Sequence, residues 1–203
     1  ALSLNPDAWQ VHNRFAVLLQ NNGLQGMAVQ HADRAIALRP AAEYAYVTAA
    51  DALFWAGKPA EAEGRVQTGL KQVPGSTILK SLLAYGAFVR GDAAQVESLV
   101  RGLVGVWPKH HSNMVLLDSL NSAARNDRAG TIQGLQAYRQ SLDGTDWAAK
   151  TRSERRVTSL NLYFMARVLA QLGAKAEAQP FLDLAERLHG GKAKVAAGDP
   201  AFR

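Results

Sequence analysis

Apolar residues along this chain fall into short stripes spaced three and four apart. Phe15, Leu18 and Leu19 form one stripe and Ala28, Ala32, Ala35 and Ile36 the next. Such spacing belongs to helices that bury one face and leave the other to solvent. Gly23 separates the two stripes, and Pro40 closes the second. The punctuation then recurs. Prolines stand at Pro6, Pro40, Pro74 and Pro108, each 34 residues from the last, and Gly23, Gly57 and Gly91 lie 17 residues from the proline on either side. A fixed period of this length predicts stacked helical hairpins, one per unit. Glycine closes the first helix through a left-handed residue, and proline stops the second because it lacks an amide hydrogen and turns the preceding residue away from helical angles. Ala28 and Ala62 share a phase, as do Ala35 and Gly69, so small residues recur where the paired helices cross closely. One hairpin is too thin to bury both faces, and the units must stack.

This pattern resembles the tetratricopeptide repeat, a family of 34-residue units that stack into a right-handed superhelix. The resemblance rests on Phe15, Ala16, Leu19, Ala28, Ala35 and Pro40 in residues 9–42 and on Tyr46, Ala50, Leu53, Ala62 and Pro74 in residues 43–76. Residues 77–110 keep Leu83, Ala84, Gly91 and Pro108, but carry Val96, Val100 and Leu103 where small residues and an aromatic are usual. Their second helix is expected to pack more loosely or at another angle. Residues 111–144 retain only a degenerate helical hairpin, with Asn126 and Asp127 at the turn, and residues 159–190 restore the pattern with Met165, Ala166, Leu169, Gly173, Ala178 and Ala185. The fold implied is an all-α, right-handed superhelical solenoid of antiparallel helix pairs, with about five repeats of which the fourth is degenerate. Residues 145–158 shift the phase by 14 positions. They are expected to be a helical insertion that lengthens the next first helix to roughly seven turns from about residue 146, with Asp143 or Thr145 near its cap. Residues 1–8, with Leu4 and Pro6 in phase with Leu38 and Pro40, read as the tail of a preceding repeat, so the chain is expected to begin inside a longer array. The helix over 175–189 is expected to cap the stack, and residues 191–203 to form a mobile tail.

Composition narrows the chemistry. The chain has 203 residues, 48% of them hydrophobic, enough for a continuous core. It has no cysteine, which removes disulfide scaffolds and thiol chemistry and leaves cytoplasm and periplasm both open. No stretch approaches the roughly eighteen apolar residues of a membrane span, so a soluble chain is expected. The net charge of +6 is uneven: residues 109–203 carry 14 Lys and Arg against 9 Asp and Glu, which places +5 in that half.

No motif supports catalysis. His110 and His111 are adjacent and lack metal-ligand spacing, so a polar turn is expected there and no metal site. His12 and His31 fall on helices without an evident carboxylate partner. "GKP" at 57–59 and "GGK" at 190–192 lack the remainder of a phosphate loop, and no GxSxG motif occurs. No cofactor is expected.

Binding is where the resemblance is informative. In such arrays ligands usually lie in the concave groove lined by the first helices, which implies a contact set of Asn13, Val17, Tyr44, Val47, Asp51, Trp55, Ser81 and Tyr85. Phe54 and Phe88 sit on the same map but are the first to be expected in the core. The resulting surface is an aromatic centre with a polar rim, suited to an extended or helical segment with apolar side chains. The Lys, Arg and Asn positions that clamp a terminal carboxylate in some relatives are Asn13, Val17, Thr48, Ile78 and Leu82 here, so that clamp is not expected. Replacing Trp55 or Tyr85 by Ala is expected to abolish partner binding with little loss of helicity. A second, weaker surface is Lys150, Arg152, Arg155 and Arg156, which could take phosphate or an acidic peptide, although Glu154 interrupts the run. Nucleic acid is not the expected partner. The reading reached is a non-catalytic protein-interaction scaffold, a module of a larger bacterial protein, with possible homodimers through exposed solenoid ends. The alternative is the sensory or regulatory region of a transmembrane winged-helix transcription regulator or adenylate cyclase, which the ending "GDPAFR" resembles.

Overall fold

The computed structural model describes residues 8–202; the preceding-repeat tail read at residues 1–8, and a homodimer contact through it, fall almost wholly outside that range. Eleven α-helices and a closing 3-10 turn make up the described chain, with no strand among the described residues. Five first helices run in series: α1 (Trp9–Asn21), α3 (Glu43–Trp55), α5 (Thr77–Arg90), α7 (Ser112–Ala124) and α9 (Arg152–Gln171). Each is followed by its second helix: α2 (Gln25–Leu38), α4 (Pro59–Gln72), α6 (Ala93–Arg101), α8 (Arg128–Ser141) and α10 (Lys175–Leu188). Every first helix packs on the next first helix as well as on its own partner, so α1, α3, α5, α7 and α9 form one continuous layer. The architecture is an all-α solenoid of helix pairs.

Turn chemistry follows the sequence. Gly23, Gly57, Gly91 and Gly173 all have positive φ between the paired helices, and in the degenerate unit Asn126 takes the same conformation at φ 62°. Asparagine is the non-glycine residue that tolerates this best. Small residues at the crossings are equally physical. Ala16, Ala32 and Ala49 form a fully buried cluster, and a Cβ on Gly69 would stand 2.8 Å from the Tyr46 ring. The helices there are as close as side-chain volume permits.

Three expectations are corrected. The insertion does not begin a helix at residue 146: α9 starts at Arg152, where Thr151 and Glu154 form a reciprocal capping box. Asp146, just upstream, instead accepts from the amides of Ala148 at 3.0 Å and Ala149 at 3.3 Å, fixing a turn. Thr151 is therefore the cap, rather than Asp143 or Thr145. Residues 191–203 are not a free tail through residue 202: α11 (Lys192–Gly198) and the 3-10 turn Pro200–Phe202 fold back against α1, α3, α9 and α10. Gly191 makes the return possible, since it sits at φ 99° and a Cβ there would lie 2.2 Å from the Asn21 carbonyl oxygen. In the third unit α6 is only nine residues long, and the chain then turns irregularly through Gly105.

The first hairpin contains a pH-sensitive contact. His12 and His31 place their Nδ1 atoms 3.0 Å apart with rings stacked at 5.2 Å. Only one of those two nitrogens can carry the shared proton. Burial and the neighbouring His12 lower the His31 pKa, so the folded state prefers neutral His31. This contribution is complete above the free-histidine value of about 6.5 and is lost as pH falls through the lowered folded pKa. Amide exchange in α1 and α2, corrected for intrinsic rates, is expected to accelerate at pH 5 relative to pH 7. His31→Gln should abolish that acceleration; an unchanged pH profile in the variant would remove the contact from the account.

Candidate functional site

The layer of first helices curves around a cavity of about 390 Å³. α1 contributes Asn13 and Val17, α3 contributes Tyr44, Val47, Asp51 and Trp55, and α5 contributes Ser81 and Tyr85, so all eight residues mapped onto the groove line this one space. Helical spacing puts each set on a single stripe, and stacking sets the stripes side by side. α9 supplies a further wall with Arg156, Val157, Leu160 and Phe164, while His189 at the end of α10 and Lys192 on the returning tail close the cavity.

Depth divides these residues. Tyr44 is 56% exposed, whereas Trp55 is 2% and Tyr85 0% exposed. Trp55 and Tyr85 are therefore the floor of the cavity and part of the core, which corrects the expectation that either could be truncated with little loss of structure. Trp55 packs 4.9 Å from the Tyr163 ring, Tyr85 lies 4.7 Å from Phe164, and Phe54 meets both Tyr85 and Phe164 edge to face. Phe54 is fully buried, as expected, and Phe88 is partly buried.

A cation organises that floor. Arg167 is buried on α9 and donates from Nε to the Tyr85 hydroxyl at 2.8 Å, and from one terminal nitrogen to the Phe54 carbonyl at 2.7 Å and to Asp199 at 2.8 Å. The Tyr163 hydroxyl donates to the same Asp199 oxygen at 2.7 Å. Burial and the Asp199 charge hold the Tyr163 pKa far above its usual value, so the phenol keeps its proton and remains a donor. Lys192 reaches across to the first repeat, donating to Asn21 Oδ1 at 2.8 Å with its ammonium 4.7 Å from the centre of the Trp55 ring.

Five buried polar atoms lining the cavity have no protein partner: Asn13 Oδ1, Gln20 Nε2, Asp51 Oδ1, Trp55 Nε1 and His189 Nδ1. A buried polar atom left without any partner costs a folded protein about 1–3 kcal/mol. Desolvation pushes the Asp51 carboxyl up to about 7, against the opposing pull of Lys192, Arg156 and Arg167. Burial brings Lys192 down to about 8, with Asp51 acting in the opposite direction.

The basic run is not brought together as one surface. Arg156 faces the cavity, Arg155 donates to the Trp147 carbonyl at 3.2 Å, and Lys150 pairs with Glu154 at 3.7 Å, while Arg152 stands exposed at the start of α9. His111 caps α7, accepting from the Asn113 amide at 3.2 Å, and stacks on Trp107. Lys192, His189 and Asp199 were not on the groove map drawn from the sequence, because nothing local to a basic, glycine-flanked segment announces a contact 171 residues away.

No family model matches the chain, and no curated protein does. Among solved structures it is similar to YrrB, described as a TPR protein with an unusual peptide-binding site, with a TM-score of 0.53 and 15% identity over 97% of this chain and 94% of that one. At that identity the likeness bears on fold, and it gives the helix stack described above: a tetratricopeptide-like, all-α solenoid.

Proposed function

We propose that this tetratricopeptide-like solenoid is a non-catalytic interaction scaffold that holds a peptide or protein segment in its concave groove. One observation carries the reading: eight residues drawn from three successive first helices converge on a single cavity, with Tyr44 exposed at its edge and aromatic rings across its floor. Aromatic side chains offer much contact area with few rotors to immobilise, which suits them to anchoring a partner. YrrB, a TPR protein of similar fold with an unusual peptide-binding site, agrees with a scaffold role.

Selection from a displayed random-peptide library against the whole protein tests the proposal. Selected peptides should lose at least about tenfold in affinity for Tyr44→Ala, about 1.4 kcal/mol. The urea midpoint of that variant should stay within about 0.5 kcal/mol of the parent, as expected for an exposed position. Selected peptides indifferent to Tyr44→Ala and to Asn13→Ala would place the interaction elsewhere and overturn the reading.

A further inference from the structure

The deep end of the cavity presents more hydrogen-bond donors than the protein itself satisfies. Gln20 Nε2 and Trp55 Nε1, both on side chains more than nine-tenths buried, have no protein acceptor. Lys192 is 4% exposed and commits one of its three protons, to Asn21. Asp51, also 4% exposed, has Oδ1 unpartnered, and its carboxyl, raised to about 7, can hold a proton at neutral pH and present a fourth donor. Asn13 and His189 can turn a donor inward by amide orientation or tautomer.

Charge points the same way. Among the described residues the cavity is lined by Arg14, Arg156 and Lys192 against Asp51 as its one carboxyl. Arg14 and Arg156 are exposed on two different walls and form no ion pair among the described residues. A positive cleft with low-dielectric walls focuses attraction on an anion. Between these groups the wall carries Val17, Val47, Ile78, Leu82, Leu160 and Phe164, an apolar stretch that suits an organic body carrying that anion. One buried lysine balances a single charge better than the double charge of a phosphate.

We infer that the deep end of the cavity is a receptor for one carboxylate on a compact apolar body, held by Lys192, Trp55 Nε1 and Gln20, with Asp51 beside them. The inference rests on the groove being a binding surface, and it specifies the chemistry recognised there. The carboxylate could belong to a free organic acid or to a bound peptide. Lys192 sits on the returning tail, so the same contact ties occupancy of the cavity to docking of residues 191–202.

The test uses the 203-residue chain and follows the Trp55 indole N–H resonance, assigned by replacing Trp9, Trp107 and Trp147 with Phe. Probes are acetate, benzoate and 3-phenylpropionate, their three amides, inorganic phosphate, and acetylated Ala-Ala-Phe with a free or an amidated carboxyl terminus. Carboxylates are expected to shift the Trp55 resonance and to bind at least tenfold more tightly than the matched amides. Lys192→Met should remove that preference, whereas Lys150→Met, outside the cavity, should not. Affinity should rise from pH 8 to pH 6, because Asp51 and Lys192 both gain protons over that range. The charged groups facing Asp51 are Lys192, Arg156 and Arg167, and His189, its pKa lowered by burial and by Lys192, lines the same cavity. Asp51→Asn should keep binding and flatten the part of the profile near pH 7. Saturation by free acids identifies a small-molecule source; response only to the free-carboxyl tripeptide identifies a peptide source. Amides binding as well as acids, phosphate binding more tightly than either, or no probe moving Trp55 overturns the inference. The Tyr44-dependent selection of peptides reports on the groove independently of all these outcomes.

Discussion

Replacing Arg167 by Met is expected to lower the stability of the protein by about 3–5 kcal/mol, the scale seen when one partner of a buried ion pair is removed. Arg167 makes three charge-assisted contacts at once, to the Tyr85 hydroxyl, the Phe54 carbonyl and Asp199. Its removal takes from Asp199, which is fully buried, the guanidinium that lies 2.8 Å from its carboxylate. The Tyr163 hydroxyl and the Ala201 amide also donate to that carboxylate, but a neutral hydrogen bond does not reproduce the contribution of the guanidinium charge. Arg167→Lys keeps the charge and loses the planar fork that reaches three acceptors in different directions, so an intermediate loss is expected. Combining Arg167→Met with Asp199→Asn should cost less than the sum of the two single changes, since both remove the same 2.8 Å ion pair. Urea unfolding followed by circular dichroism checks this through a shift of midpoint at constant slope. A deficit below about 1 kcal/mol would mean that the ion pair is not held in the folded protein. Loss of the pair should also release the tail, and cleavage by a limited protease within residues 190–202 is the separate readout.

That network shows where the sequence was transparent and where it was opaque. The repeat could be read because its punctuation is local: a left-handed residue between paired helices and a proline after them act through the backbone of their own neighbours, as Gly57 and Pro74 illustrate. Asn126 kept the same turn where glycine had been lost. The convergence of Asn13, Asp51 and Ser81 on one cavity was readable too, since a helical stripe repeated at a fixed period must line one side of the stack. The start of α9 was readable in principle, because Thr151 and Glu154 stand three residues apart in the pattern of a capping box. The phase shift drew attention instead to the helical composition upstream. Depth was not readable. Whether Trp55 or Tyr44 faces solvent depends on α9 and on residues 191–202 lying over the C-terminal ends of α1 and α3, and those contacts span more than a hundred positions. No period in the chain encodes them.

Trp55→Ala is expected to cost roughly 3–5 kcal/mol, the range for deleting a buried large aromatic side chain. The loss has three sources. The indole is 2% exposed and packs against Tyr163 at 4.9 Å and Phe164 at 6.5 Å, so truncation leaves a void that rigid neighbours on α9 fill only in part. The Lys192 ammonium loses the ring beneath it while remaining largely shielded from water. The floor that positions Asp51, one helical turn earlier on α3, loses its support. Trp55→Phe should recover much of the packing but neither the indole donor nor the full cation contact, leaving stability closer to the parent while still weakening carboxylate binding. Tyr44→Ala, eleven positions earlier on the same helix, is the opposite case: at 56% exposure it should barely move the urea midpoint. Two aromatic residues on one groove-facing stripe thus separate into one that holds the fold and one free to meet a partner. Similar unfolding midpoints for the two alanine variants would mean that neither α9 nor the returning tail covers α3 in solution, and the enclosed cavity would have to be replaced by an open trough.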